Sequence, residues 1–166
     1  MPLCVIIGAS MKPKVHYIPA GHPALVPYLT VNNAASALEF YVQVLGAREL
    51  SRMPMPDGKI AHAEIQIGDS RVMLADESPG CVSRSPAAYG GTPVGLCIYV
   101  EDCDAVVGKA IALGAKIIRP LADQFYGDRS ATLTDPFGHI WTIATHKEDL
   151  TPEEIQKRAE ALFASK

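Results

Sequence analysis

Val31-Asn32-Asn33-Ala34-Ala35 leads through Ala37-Leu38-Glu39 to Leu45-Gly46-Ala47, and Val100-Glu101-Asp102-Cys103-Asp104 leads through Val106-Val107 to Leu113-Gly114-Ala115. A strand, a helix and a glycine stop thus recur at an interval of about 69 residues, and self-similarity at a fixed spacing is a statement about architecture. Each copy owns a single helix with which to cover one small sheet. Neither closes its other face alone, so the concavity between the copies is the expected place for a ligand.

Leu25 to Val31 reads as a strand, and Asn33 caps a helix that ends at Gly46. The period then changes. Glu49 to Met53, Ile60 to Ile67 and Arg71 to Ala75 read as strands separated by Pro54-Met55-Pro56-Asp57-Gly58 and Gly68-Asp69. The second copy repeats this with Val94 to Val100, a helix from about Asp104 to Leu113, and strands Lys116 to Arg119, Ser130 to Thr134 and His139 to Thr145. Each copy is β-α-β-β-β, and the fold class is α+β: two tandem modules forming a cupped, barrel-like mixed sheet with helices outside. Residues 1–21 read as an N-terminal extension, 22–147 as the domain (modules 22–77 and 93–147, linker 78–92), and 148–166 as a terminal helix. In that helix Thr151-Pro152-Glu153-Glu154 is a capping box, followed by the apolar stripe Ile155, Ala159, Leu162 and Phe163.

Composition narrows the function classes. Net charge is −3 and the basic residues are scattered, which argues against a nucleic-acid partner. Cys4, Cys81, Cys97 and Cys103 show no CxxC spacing, so reduced thiols in a cytoplasmic protein are expected. The apolar run Leu3 to Ala9 is too short to span a bilayer, so no membrane partner is expected either. There is no phosphate loop, nucleophile elbow or HExxH pattern.

The paired modules, the turn and strand Asp135-Pro136-Phe137-Gly138-His139-Ile140-Trp141 and the Leu-Gly-Ala helix stops resemble the vicinal-oxygen-chelate superfamily of glyoxalases, bleomycin-resistance proteins and dioxygenases. Pro27-Tyr28-Leu29-Thr30-Val31, His62-Ala63-Glu64-Ile65, Met73-Leu74-Ala75-Asp76-Glu77 and Asp123-Gln124-Phe125-Tyr126-Gly127-Asp128-Arg129 are similar to its PhnB-like branch. The resemblance implies a divalent metal held from the first and last strands of each module. Carried over, those positions are Val26, Met73, Gly95 and Thr142. A valine, a glycine and a thioether do not hold such an ion, so neither a cofactor nor a metal is expected at the inherited place.

Other residues carry chemistry. On Ile60 to Ile67 the residues Ala61, Ala63, Ile65 and Ile67 form an apolar face, which turns His62, Glu64 and Gln66 toward the cup. A carboxylate beside an imidazole suits general acid–base work, and the competing reading is a solvated polar face. His62, Glu64 and His139 form an alternative, relocated divalent-metal set. Gln124, Phe125, Tyr126 and Arg129 read as a rim loop suited to a planar, partly polar ligand, with an internal Asp128–Arg129 or Arg129–carboxylate lock as the alternative. Tyr28 and Tyr99 read as equivalent residues on opposite walls of the pocket, with Met73 and Thr142 beside them and aromatic core filling as the alternative.

Two functions follow. One is binding or sequestration of a small organic molecule. The other is a lyase, isomerase or dioxygenase acting through His62 and Glu64 or a relocated metal. Open sheet edges and the terminal apolar stripe favour a homodimer.

Overall fold

The computed structural model describes residues 15–80 and 82–164. Most of the expected extension, Cys4 and Cys81 lie outside the described residues. The order of elements is β1 (Tyr28–Val31), α1 (Ala34–Leu45), β2 (Arg48–Pro54), β3 (Ile60–Ile67), β4 (Ser70–Asp76), α2 (Pro86–Tyr89), β5 (Gly95–Tyr99), α3 (Cys103–Ala112), β6 (Lys116–Asp123), β7 (Asp128–Thr134), β8 (Ile140–His146) and α4 (Pro152–Ala164). The first sheet has the order β1-β4-β3-β2 and the second β5-β8-β7-β6. In each, the first strand is parallel to the last and the other pairs are antiparallel. These are the tandem α+β modules expected from the repeat. The two sheets do not close into a barrel, since no ladder among the described residues joins them.

Each helix start is tied to the strand beside it. Asn33 adopts a left-handed conformation and accepts from Ser36 N–H at 3.1 Å. Asp76, at the end of β4, accepts from the N–H groups of Asn33 and Ala34 through Oδ1 (2.8 and 2.9 Å) and of Ile60 through Oδ2 (2.7 Å). Thr145 holds the corresponding place on β8: its hydroxyl accepts from Cys103 N–H and donates to Val100 O, both at 2.9 Å. The free N–H groups at a helix start need such partners when they are sheltered from water. One position of the repeat therefore does the same work twice with different chemistry.

The helix-covered faces meet in one continuous core. Leu38 and Tyr41 of α1 pack with Val31, Ile65 and Leu74 of the first sheet, and the same cluster contains Val107 of α3 with Leu133, Trp141 and Ile143 of the second. Rings bridge the modules: Tyr41 lies 5.6 Å from Trp141 and 6.2 Å from Phe137, centroid to centroid. Trp141 is buried core, and its indole N–H donates to Asp135 at 2.9 Å.

Three local expectations change. A bulge in the β2–β3 ladder skips Ala61, so Ala61 is exposed and Ile60 takes its place in the core. β6 runs on to Asp123 and β7 begins at Asp128, which shrinks the rim loop to the turn Gln124–Gly127. The linker folds a short helix, α2, behind Ser85, which is fully buried.

Candidate functional site

The face of the first sheet turned away from the helices is built from aligned rows. Tyr28 pairs with Met73, Met73 with Glu64 and Glu64 with Ser51; beside this row Arg71 pairs with Gln66 and Gln66 with Arg48. Residues opposite one another on neighbouring strands point the same way, so His62, Glu64, Arg71, Met73 and Tyr28 share one surface.

Hydrogen bonds link them into a chain. The Tyr28 hydroxyl lies 3.0 Å from His62 Nδ1, and His62 Nε2 lies 3.4 Å from Glu64 Oε1. Glu64 Oε2 accepts from Arg71 Nη1 and lies 3.3 Å from His22 Nε2. An ionised carboxylate only accepts, so His62 donates from Nε2, and in the neutral ring Nδ1 then accepts the phenolic proton of Tyr28. His22 Nε2 is 3.2 Å from Arg71 Nη1 as well, so that nitrogen serves one neighbour at a time: it accepts from Arg71 or donates to Glu64. The hydrogen bond from Arg71 holds the Glu64 carboxyl below its ordinary value against the opposing effect of burial, with His62 adding to the same direction. His22 and Arg71 belong to no motif read from the sequence. Register brings Arg71 to Glu64's side, and a turn in the segment before β1 delivers His22.

The second sheet carries a different face. Cys97 pairs with Thr142 and Thr142 with Thr132, and the two threonine hydroxyls lie 3.2 Å apart. By register Tyr28 corresponds to Cys97, not to Tyr99, because Tyr28 pairs with Met73 as Cys97 pairs with Thr142. Tyr99 stands two pairs further along, opposite Ala144, and its hydroxyl donates to Asp128 at 2.8 Å. That hydrogen bond pushes the Tyr99 phenol up to about 12. Asp128 also meets His146 Nδ1 at 2.7 Å, and His146 Nε2 lies 3.0 Å from Asp149. Tyr28 and Tyr99 are each more than half exposed, and no described strand of one sheet pairs with the other. Both helix-free faces are open.

Of the rim residues, Arg129 leaves this surface. It alternates with Ala131 and Leu133 on the helix-covered side of β7 and forks onto Asp104 of α3, Nε and Nη2 each 2.7 Å from a carboxylate oxygen, with Asp123 at 3.2 Å. The lock exists, and Asp104 is its main partner. Gln124, Phe125 and Tyr126 form the β6–β7 turn, where Phe125 meets Tyr126 and Phe163 of α4. Gly127 closes that turn with φ +98, and a side chain there would meet Glu148 O at 2.5 Å. His139 is engaged with Thr30 O at 3.2 Å, in the junction between the modules.

The residues present do not fit the divalent metal that the fold suggests. Val26 and Gly95 offer no donor, and Met73 and Thr142 offer a thioether and a hydroxyl. At Glu64 the Arg71 guanidinium already occupies an oxygen a cation would need. Among the described residues no group of three or more His, Cys, Asp and Glu is placed to hold a metal ion.

Two concavities among the described residues lie elsewhere. One of about 870 Å³ is lined by Asn32, Lys59, Glu77, Arg84 and Ser85, and one of about 320 Å³ by Asp102, Asp104, Arg129 and Lys147. In the first, Ser85 satisfies both by side chain and backbone the Glu77 carboxylate, whose pKa falls to about 2, and Arg84 completes the set. That network ties the linker to β4. The candidate site is assigned to the open face instead, where titratable groups converge without closing a loop. No described helix is long and apolar enough to cross a membrane.

The Glyoxalase/Bleomycin resistance protein/Dioxygenase superfamily model matches residues 20–143, and the chain belongs to that superfamily. It is 44% identical over 137 residues to an uncharacterized protein of Mycobacterium bovis, covering 81% of this chain and 90% of that one. The crystal structure of TioX from Micromonospora sp. ML1 is similar at 29% identity and TM-score 0.58, covering 78% of this chain and all of that one (100%). A PhnB protein from Bacillus cereus shares the fold at 18% identity and TM-score 0.60, covering 74% and 99%.

Proposed function

We propose that the protein binds a small organic molecule against the helix-free faces of its sheets and sequesters it. The observation that supports this most is the open face itself: Tyr28, Met73, Tyr99 and Thr142 present aromatic, thioether and hydroxyl surface there, while the inherited metal positions lack carboxylate and imidazole donors. Superfamily membership, which spans bleomycin-resistance proteins, is compatible with binding that needs no turnover. The PhnB-like branch is the finer assignment we favour, on the sequence phrases and the Bacillus cereus neighbour. A homodimer is part of the same reading, because a second copy is the simplest body to cover two open faces. We place the protein in the cytoplasm, without nucleic-acid or membrane partners.

One observation favours a second reading. Glu64 orients His62, and His62 in turn meets the Tyr28 hydroxyl, which is the order of groups that general acid–base catalysis uses. A lyase or isomerase would employ Tyr28 and His62 on the ligand, with Glu64 as the positioning residue.

The test is an NMR titration of the purified protein with a panel of small aromatic and aliphatic compounds. Binding on the open faces moves the methyl resonances of Met73 and Thr142. Shifts confined to the linker concavity around Glu77, or none for any compound, overturn the proposal. Chemical conversion of a bound compound that is lost in His62→Ala selects the enzymatic reading.

A further inference from the structure

We infer that the open face of the first module is an oxyanion subsite, in which Arg71 takes the carboxylate or phosphonate of an organic ligand and the turn carrying His22 frames it. The inference rests on the small-molecule reading above and names the ligand's charge.

The donors and acceptors on this face do not balance. Both oxygens of Glu64 are used: Oε1 faces His62, and Oε2 faces Arg71 and His22. Arg71 spends only Nη1 on these neighbours, which leaves the Nε–H and the Nη2 protons without an acceptor among the described residues. No side-chain nitrogen or oxygen of the described residues is both buried and unpartnered, so this edge of the guanidinium is reached by solvent. Nε and Nη2 form a fork whose spacing matches two oxygens of one carboxylate or phosphonate. Among the strand residues of the face, the guanidiniums of Arg48 and Arg71 stand against the single carboxylate of Glu64, and Arg48 donates to neutral Gln66 at 2.9 Å. An anion restores neutrality there.

The approach to the fork is shaped by the segment before β1. His22 N–H donates to Pro19 O at 3.1 Å, and Gly21 takes φ +74 within that turn. A Cβ on Gly21 would lie 3.4 Å from Arg71 Nη2, so glycine keeps that flank low while His22 reaches Glu64. In the second module the positions matching Glu64 and Arg71 are Thr132 and Ile140, which carry no charge. The anion therefore has one end of the site to choose, and the ligand's apolar part is left for Met73 and the hydroxyl-lined face.

The experiment titrates the full chain with benzoate, phenylphosphonate and neutral benzamide, reading the Arg71 Nε–H resonance with the methyls of Met73 and Thr142. The expected result is a shifted Arg71 Nε–H for one or both anions and an affinity on the order of tenfold above that of benzamide. Arg71→Lys keeps the charge beside Glu64 and loses the fork, so it loses that preference. Glu64→Gln removes the competing negative charge and strengthens anion binding. Benzamide binding as tightly as benzoate, full anion preference in a folded Arg71→Lys protein, or anion shifts at Lys59 and Arg84 instead would each overturn the subsite while leaving the small-molecule reading intact. If all three probes leave Met73, Thr142 and Arg71 unmoved, both fall.

Discussion

Tyr41 of α1 donates its hydroxyl to Asp135 Oδ2 at 2.8 Å, joining the first module's helix to the second module's β7–β8 turn. Asp135 is buried and fully used: Trp141 donates to the same oxygen, and the N–H groups of Phe137 and His139 donate to Oδ1, all at 2.9 Å. Burial, with the Asp135 charge beside it, drives the Tyr41 pKa well above its ordinary value. Tyr41→Phe is expected to cost about 1–3 kcal/mol in urea unfolding, since one bond to a charged acceptor is lost. Asp135→Ala costs more, because four donors lose their acceptor at once. Equal losses for the two variants would contradict this division of labour.

The two helix-start anchors should differ in strength. Asp76→Ala strips acceptors from three N–H groups and is expected to cost roughly 2–4 kcal/mol, whereas Thr145→Val strips one and costs about 1 kcal/mol. Denaturant melts of both variants check the ranking. Its reversal would mean that the repeat does not place these residues in equivalent roles.

Much of this was readable beforehand. Alternation set Ile60–Ile67 as a strand to the residue, and the glycine stop after Leu45 ended α1 where it ends. Alternation also carries the signal for Arg129: Ala131 and Leu133 are apolar, which puts Arg129 two residues earlier on the same core-facing side. The chain of groups around Glu64 was only half legible. Partners such as Arg71 and His22 depend on inter-strand register and on a segment outside the repeat, and neither has a periodic signature. The bulge at Ala61 is likewise invisible to a pattern of period two.

Acid stability should report on Glu64. Its folded pKa lies below the ordinary 4.5, so the stability it contributes is present above 4.5 and is lost as pH falls through the lower folded value. Arg71→Gln removes the largest cause of the shift. The Glu64 side-chain carboxyl carbon, followed by NMR from pH 7 downward, should then titrate at higher pH than in the parent protein; an unchanged midpoint would remove Arg71 as the cause.

Metal analysis of the untagged protein is expected to find Ni, Zn, Fe and Mn well below stoichiometric amounts. The reason is donor chemistry at Val26, Met73, Gly95 and Thr142, together with the Arg71 cation against Glu64. Stoichiometric metal that persists in His62→Ala would overturn the reading of the inherited positions. Metal lost in that variant would instead place the ion at His62 and Glu64.

His146 supplies a pH marker for the far side of the second module. Its imidazole sits between Asp128 and Asp149, and the hydrogen bond to Asp128, then that to Asp149, raises its pKa above 6.5. A raised folded value means that the protonated ring contributes stability in full below 6.5, and that this contribution is lost as pH rises through the higher folded pKa. The same neighbourhood holds the segment leading to α4, because Lys147 and Glu148 N–H groups both donate to Gly127 O, at 2.9 and 3.0 Å. Titrating the His146 ring protons by NMR should therefore give a midpoint above 6.5 in the parent protein and a lower one in Asp128→Asn, with Asp149→Asn producing the smaller drop. A larger effect from Asp149 would make the exposed carboxylate, rather than the buried one that also receives Tyr99, the group that holds the proton.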